Sequence, residues 1–218
     1  GKCAFSNCSN LENLSLGYGI KDIGDSAFSG CDSLTSVEIP GTVKNIGDSA
    51  FYSCNSLNTL TLNDGIETIG NSAFYGCSPL TSLEIPESVT SIGSKAFYHC
   101  GFLSRVTVFA TLVPNLGSDA FDYTEPNLVL VVPANYFKKY DLGWEEYSDQ
   151  LRPGYTLTVA GEPVGTLYVE GDKINLPDVA DKDACHPFAG WKVESGEGSF
   201  RGNTFTMGNS NTALVASY

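Results

Sequence analysis

Seven cysteines and two histidines are the residues of this chain best suited to nucleophilic or metal chemistry, and their spacing favours structure over reactivity. Five cysteines fall at Cys8, Cys31, Cys54, Cys77 and Cys100, each 23 residues after the last. His99 sits where other copies of this interval carry Asn7, Gly30, Ser53 and Gly76, which marks it as a surface variant. His186 follows Cys185, but no second Cys/His cluster at zinc spacing accompanies it. Asp178, Asp181 and Asp183 make an acidic loop without the glycine and terminal glutamate of an EF-hand, and read as a solvated turn. No catalytic residue, metal site or cofactor is expected, and an enzyme is not; turnover of glycan or peptide substrates would reverse that reading.

The same interval governs other residue types. Phenylalanine recurs at Phe5, Phe28, Phe51, Phe74 and Phe97, then at Phe121 after a one-residue slip. An Ile-Gly pair recurs at Ile23-Gly24, Ile46-Gly47, Ile69-Gly70 and Ile92-Gly93, with Leu116-Gly117 as a degenerate copy. Leucines mark a third column at Leu11, Leu34, Leu57, Leu80 and Leu103. A fixed period of this size means a solenoid, whose coils are each too small to bury their own apolar face and share a core with their neighbours. Adjacent coils lie ~5 Å apart, as adjacent strands do. Identical backbone settings then point neighbouring Cys Cβ vectors in parallel, which disulfide geometry disfavours. The cysteine column reads as buried free thiols; Cys3 and Cys185 lie off it and remain unassigned.

Within the copy from Ile23 to Val43, Gly24 breaks the chain and Asp25 or Ser26 can cap a short helical turn carrying Ala27 and Phe28. Cys31 closes that turn and Leu34 re-enters the core. Val37 in, Glu38 out, Ile39 in is the alternation of a short strand. The strand column is Leu14/Leu16, Val37/Ile39, Leu60/Leu62, Leu83/Ile85 and Val106/Val108. These strands are expected to form one parallel sheet, with short helical turns on the other side. Leu128–Val132 is a β-forming run stopped by Pro133, and 135–147 has helical spacing of Tyr136, Phe137, Tyr140 and Trp144. Residues 118–150 therefore read as a final strand and a capping helix.

The unit V-x-x-I-G-x-x-A-F-x-x-C-x-x-L-x-x-V-x-I-P, present as Val43, Ile46-Gly47, Ala50-Phe51, Cys54, Leu57, Leu60 and Leu62, resembles the BspA-type leucine-rich repeat. Val131-Val132-Pro133, Tyr140, Trp144 and Tyr147 are similar to the segment that caps such arrays. The Ile-Pro pair holds at Ile39-Pro40 and Ile85-Pro86 and is replaced by Leu16-Gly17, Leu62-Asn63 and Val108-Phe109. The resemblance covers roughly residues 1–150. It implies a secreted or surface-anchored bacterial or protist protein, with adhesion to host proteins or other cells as its role. The chain opens inside a repeat, so further repeats or a targeting signal are expected upstream.

After Arg152-Pro153-Gly154 the period does not return. Strands are expected at 155–159, 165–169, 174–176, 188–193, 204–207 and 213–218, separated by Gly, Asn, Asp and Pro. The strings GDKINLP at 171–177, FAGW at 188–191, TFTM at 204–207 and LVASY at 214–218 resemble the Listeria–Bacteroides repeat family. That likeness implies a small β-grasp-like module over 154–218, with Phe188 and Trp191 as core anchors, acting as a spacer. The fold class expected is an α+β solenoid followed by a small, mostly-β domain.

The formal net charge of −13 is shared unevenly, with 17 acidic and 7 basic side chains in 1–150 and 8 and 5 in 151–218. Such a surface repels polyphosphate, so nucleic acid and anionic membranes are not expected partners. No stretch approaches the ~20 apolar residues of a membrane span. Tyr52, Tyr75 and Tyr98 form a column one residue after the buried Phe, where earlier copies have Ser6 and Ser29. The fold does not demand tyrosine there, and the row could stack on sugar rings or anchor a protein. The alternative is rings that stack on one another along the flank. On the sheet, Ser15, Glu38, Thr61, Glu84 and Thr107 and a second column ending in Arg105 face outward. They could hydrogen-bond a ligand or be ordinary solvent-facing strand residues. The ligand-contact set expected is Tyr52, Tyr75, Tyr98, Glu38, Thr61, Glu84 and Arg105. The expected function is a monomeric, extracellular, non-enzymatic protein that binds a host protein or glycan; the competing reading is a structural stalk.

Overall fold

A computed structural model describes residues 1–177 and 188–217. The chain folds into two compact units, Gly1–Leu130 with Lys138–Leu151, and Val131–Phe137 with Arg152–Tyr218.

The first unit is a stack of coils with two parallel ladders per coil, where one sheet was expected. One ladder is built on the Ile-Gly column: Asp22–Ile23, Asn45–Ile46, Thr68–Ile69, Ser91–Ile92 and Asn115–Leu116 pair in parallel and in register. The glycines that follow are obligatory, because coils approach there to backbone contact. A Cβ on Gly70 would lie 2.7 Å from the Asp48 nitrogen and the Gly47 carbonyl carbon. The second ladder carries the predicted alternation: Ser36–Ile39 pairs with Thr59–Leu62, and Ser82–Ile85 with Arg105–Val108. Among the described residues, no strand pairing joins Thr59–Leu62 to Ser82–Ile85, and Leu14 and Leu16 lie outside any strand.

The expected helical turns are absent from the described coils. Two residues four apart are left-handed in every coil: Cys3/Asn7, Ser26/Gly30, Ser49/Ser53, Ser72/Gly76, Lys95/His99 and Asp119/Tyr123. A left-handed residue at that interval cannot propagate a right-handed helix. The turn amides instead alternate between their own coil and the next. Ala27 N–H donates to Gly24 O at 3.1 Å, whereas Ser26, Phe28 and Gly30 donate to Asp48, Ala50 and Tyr52 of the following coil at 2.8 Å each. Asp25 does not cap its own turn either. Its Oδ1 accepts from Asp48 N–H at 3.2 Å, Asp48 Oδ1 from Asn71 N–H at 2.7 Å, and Asn71 Oδ1 from Ser94 N–H at 2.9 Å.

Inside, the phenylalanines stack rung on rung. Phe28–Phe51, Phe51–Phe74, Phe74–Phe97 and Phe97–Phe121 have centroids 5.1, 5.2, 5.3 and 5.5 Å apart and rings within 12° of parallel. Each buried ring stabilises the fold by about 1.5–3 kcal/mol from its area alone. Leu34, Leu57, Leu80 and Leu103 fill the rest of the section.

The expected capping strand runs Val129–Pro133, and the continuous helix expected over 135–147 is three short pieces: 3-10 turns Ala134–Tyr136 and Glu145–Tyr147 around the helix Phe137–Gly143. Three buried aromatics tie the cap down. Tyr140 Oη donates to Ala110 O at 2.6 Å and Trp144 Nε1 to Pro114 O at 2.9 Å. Tyr147 Oη donates to Asp122 Oδ1 at 2.9 Å and accepts from Phe121 N–H at 3.1 Å.

In the second unit, Leu151–Val159 pairs antiparallel with Glu162–Tyr168 and parallel with Thr212–Ser217, which pairs antiparallel with Gly190–Ser195. A smaller antiparallel sheet has Thr204–Met207 between Lys173–Asn175 and Gly198–Arg201, the last a strand that the sequence pattern does not announce. Leu157, Leu176, Phe205, Met207 and Leu214 form the core. Trp191, expected with Phe188 as a core anchor, is half-buried against it, with Phe188 edge-on at 5.8 Å. Cys185, His186, Asp178, Asp181, Asp183 and Tyr218 lie outside the described residues.

Candidate functional site

The turn segment of each coil places its second left-handed residue, and the residue before it, on the flank. Tyr52, Tyr75 and Tyr98 occupy the preceding position and are half-buried. Their rings stack on one another, Tyr52–Tyr75 at 4.7 Å and 14° and Tyr75–Tyr98 at 5.2 Å and 19°. The faces between rings are therefore occupied, and the row offers edges and hydroxyls. At its far end two residues join that the spacing did not assign to it. Tyr123, 64% exposed, lies 4.9 Å from Tyr98. His99, also exposed, stands edge-on to Tyr98 at 4.8 Å and lies 4.8 Å from Tyr123. Lys95 Nζ sits 5.2 Å above the Tyr98 ring and 3.8 Å from Asp119 Oδ2. Partial desolvation, with the Tyr123 hydroxyl hydrogen-bonded beside it, raises the Tyr98 phenol above its ordinary pKa.

The strand-face residues occupy a separate segment of the coil, beyond the Cys and Leu columns. Glu38, Thr61 and Glu84 point outward and are exposed, and Glu38 Oε1 accepts from Asn63 Nδ2 at 3.0 Å. Arg105 is half-buried. Thr107, expected on the outward column, is buried at 3% exposure. Glu38 also borders a shallow depression of about 160 Å³ lined by Leu14, Ser15, Leu16, Tyr18 and Pro40. The structure thus leaves the tyrosine row and the strand face as two surfaces rather than one site.

A family model described as the BspA type leucine rich repeat region matches residues 1–127 in six copies. The chain belongs to the BspA-type leucine-rich repeat family. No curated protein matches it. Among solved structures it is similar to a leucine-rich repeat protein from Bacteroides ovatus ATCC 8483, with 29% identity and a TM-score of 0.45 over 61% of this chain and 42% of that one. A leucine rich cell surface protein from Faecalibacterium prausnitzii A2-165 is 31% identical, with a TM-score of 0.48 over 55% of this chain and 31% of that one. The pneumococcal vaccine antigen PcpA is 18% identical, with a TM-score of 0.50 over 66% of this chain and 40% of that one, and shares the fold. The chain spans less than half the length of each of these structures.

In this BspA-type array the cysteine column is unpaired and more than filler. Cys31, Cys54, Cys77 and Cys100 are fully buried free thiols. Each donates from Sγ to the phenylalanine carbonyl of the preceding coil: Phe5, Phe28, Phe51 and Phe74, at 3.2 to 3.3 Å. Burial raises all four thiols, Cys54 and Cys100 to about 12. They are protonated donors, not nucleophiles. Cys3 and Cys8 are exposed and free.

The BspA-type period also hid a carboxylate group beside the aromatic end. Asp119, Asp122 and Glu146 bring oxygens within 4.8 Å of one another. Glu146 comes from the cap, and Asp119 and Asp122 follow the slipped repeat, so no fixed interval links them. No helix among the described residues is long and apolar enough to cross a membrane.

Proposed function

We propose that this chain is a non-enzymatic binding segment of a bacterial cell-surface or secreted protein, capturing a host protein or glycan on the aromatic flank of its solenoid. The observation behind this reading is the stacked, half-buried row Tyr52–Tyr75–Tyr98, continued by His99 and Tyr123. Rings held by stacking lose little conformational entropy on binding, which is the main cost a contact surface must offset. Membership in the BspA-type family supports a location outside the cell. Residues 1–150 act as the solenoid with its cap. Residues 154–218 act as a Listeria–Bacteroides-type, β-grasp-like spacer.

One observation favours a second reading, that of a structural stalk. The tyrosines cover one another's faces, so the row also makes sense as flank packing. Binding of the chain to a panel of matrix proteins and glycans, beside a Tyr52/Tyr75/Tyr98→Ser variant, separates the two. Serine occupies the same position at Ser6 and Ser29, so the variant keeps a side chain the coil accepts. Saturable binding lost in the variant supports capture on this flank. Binding retained places the site elsewhere, and no binding by either protein favours the stalk.

A further inference from the structure

The same backbone bonds join each coil to the next. On the Ile-Gly side the later coil donates. Lys44 N–H reaches Lys21 O at 2.7 Å, and Glu67, Thr90 and Asn115 N–H reach Lys44, Glu67 and Thr90 O at 2.9 Å each. On the turn side the earlier coil donates: Phe28, Phe51, Phe74 and Phe97 N–H reach Ala50, Ala73, Ala96 and Ala120 O at 2.7 to 2.8 Å. The phenylalanine stack runs between the two sets. The last coil thus leaves three groups for a successor. One is the acceptor Pro114 O, which the Ser91–Asn115 register makes the counterpart of Thr90 O. The others are the donor Phe121 N–H and the outer face of the Phe121 ring. Pro114 and Phe121 are buried, and buried backbone groups require partners.

The cap fills all three places with side chains. Trp144 Nε1 donates to Pro114 O at 2.9 Å, as the amide of a next coil would. Tyr147 Oη accepts from Phe121 N–H at 3.1 Å, as the alanine carbonyl of a next coil would. Tyr147 stands edge-on to the Phe121 ring at 81° and Trp144 is tilted to it at 43°, so the parallel stack stops there. The first coil presents the three groups that these side chains replace. Lys21, Ala4 and Phe5 lie one interval before Lys44, Ala27 and Phe28. Lys21 N–H and Ala4 O have no hydrogen-bond partner among the described residues. Phe5, stacked on Phe28 at 5.3 Å and 2°, is 49% exposed. We infer that the last coil is a docking face for the first coil of a second copy of this chain, held closed by Trp144 and Tyr147. Those two side chains stand in for Lys21 N–H, Ala4 O and the Phe5 ring. A head-to-tail contact joins unlike faces, so each added copy leaves another face at the end and association runs past the dimer. The tyrosine row takes no part, which makes this inference independent of the capture reading.

The test is light scattering after size exclusion, over a concentration series, on wild type and on Trp144→Ala/Tyr147→Ala. Wild type is expected to stay monomeric, while the mean mass of the variant should rise by about twofold or more with concentration. Adding Phe5→Glu, an exposed change in the first coil, should return the variant to monomer. Trp144→Phe/Tyr147→Phe keeps an aromatic ring at both positions and loses both hydrogen bonds, so it should associate at higher concentrations than the alanine pair. Slow amide exchange at Phe51 and Phe74 reports a folded array in each variant. If the alanine pair loses that protection, the phenylalanine pair is read in its place against the same outcomes. Three results overturn the inference: a variant that stays monomeric, association that Phe5→Glu does not reverse, or wild type that associates as strongly as the variant.

Discussion

The Cys77 thiol donates to the Phe51 carbonyl at 3.3 Å, across 26 residues and one coil boundary. Phe51 O already accepts from Cys54 N–H at 3.3 Å, so the thiol supplies the second partner of a buried acceptor. Cysteine is small enough for the interior of the coil and still carries a donor. Cys77→Ala is expected to cost about 1–3 kcal/mol, from a small cavity plus one lost hydrogen bond. Cys77→Val, which loses the donor and adds a branch in a fully buried site, should cost more. Thermal unfolding of both variants checks this; a valine variant as stable as wild type would make the column plain apolar packing.

The same thiols give the protein a pH dependence on the alkaline side. Desolvation lifts Cys54 and Cys100 from 9.0 to about 12 in the folded chain. Between those values the unfolded chain releases protons that the folded chain keeps, so unfolding is favoured as pH rises. Their contribution is complete below about pH 9 and is lost as pH climbs toward 12. Denaturant titrations across this range should show stability falling, with a smaller fall in a Cys54→Ala/Cys100→Ala variant. At neutral pH a thiol reagent should modify Cys3 and Cys8 quickly and the buried four only on unfolding.

Gly70 is fixed by steric approach. A Cβ there would meet the backbone of Gly47 and Asp48 at 2.7 Å, and neither can yield without separating two coils. Gly70→Ala should destabilise by more than about 3 kcal/mol. Gly76→Ala is the contrasting case: its Cβ finds Ser53 Oγ at 3.5 Å, an ordinary contact, so only the φ of +74° is penalised. That change should cost about 1–2 kcal/mol. Similar losses for the two alanines would overturn the distinction.

Tyr147 closes the cap through its hydroxyl, accepting from Phe121 N–H and donating to Asp122. Burial, opposed by the Phe121 amide, raises its phenol well above the ordinary value. Tyr147→Phe keeps the ring against Phe121 and leaves that buried amide without its acceptor, a cost of about 1–3 kcal/mol. Amide hydrogen exchange at Phe121 should accelerate in the variant; unchanged exchange would mean another acceptor takes over.

The interval of 23 residues determined most of what is inside the array. Side chains repeated at one interval sit at one place in every coil, so Phe, Leu, Cys and Ile columns announce a shared core without any knowledge of the path between them. The alternation at Val37, Glu38 and Ile39 likewise reports its strand, because a strand's period is local. The two-residue strands such as Asn45–Ile46 are too short to show a period, and the ladder on the Ile-Gly column was invisible for that reason. Left-handed turns pass for helical ones in the sequence because Ser26 and Ser49 carry no sign of their φ, and Gly30 is only a hint. The tertiary structure alone decided the rest. Thr107 alternates as an outward residue and is nevertheless buried. Tyr123 meets His99 only because the repeat slips by one residue, and Glu146 meets Asp119 and Asp122 only because the cap folds back onto the last coil. Periodicity records what each coil repeats; a patch made where repetition stops depends on contacts between segments that share no interval.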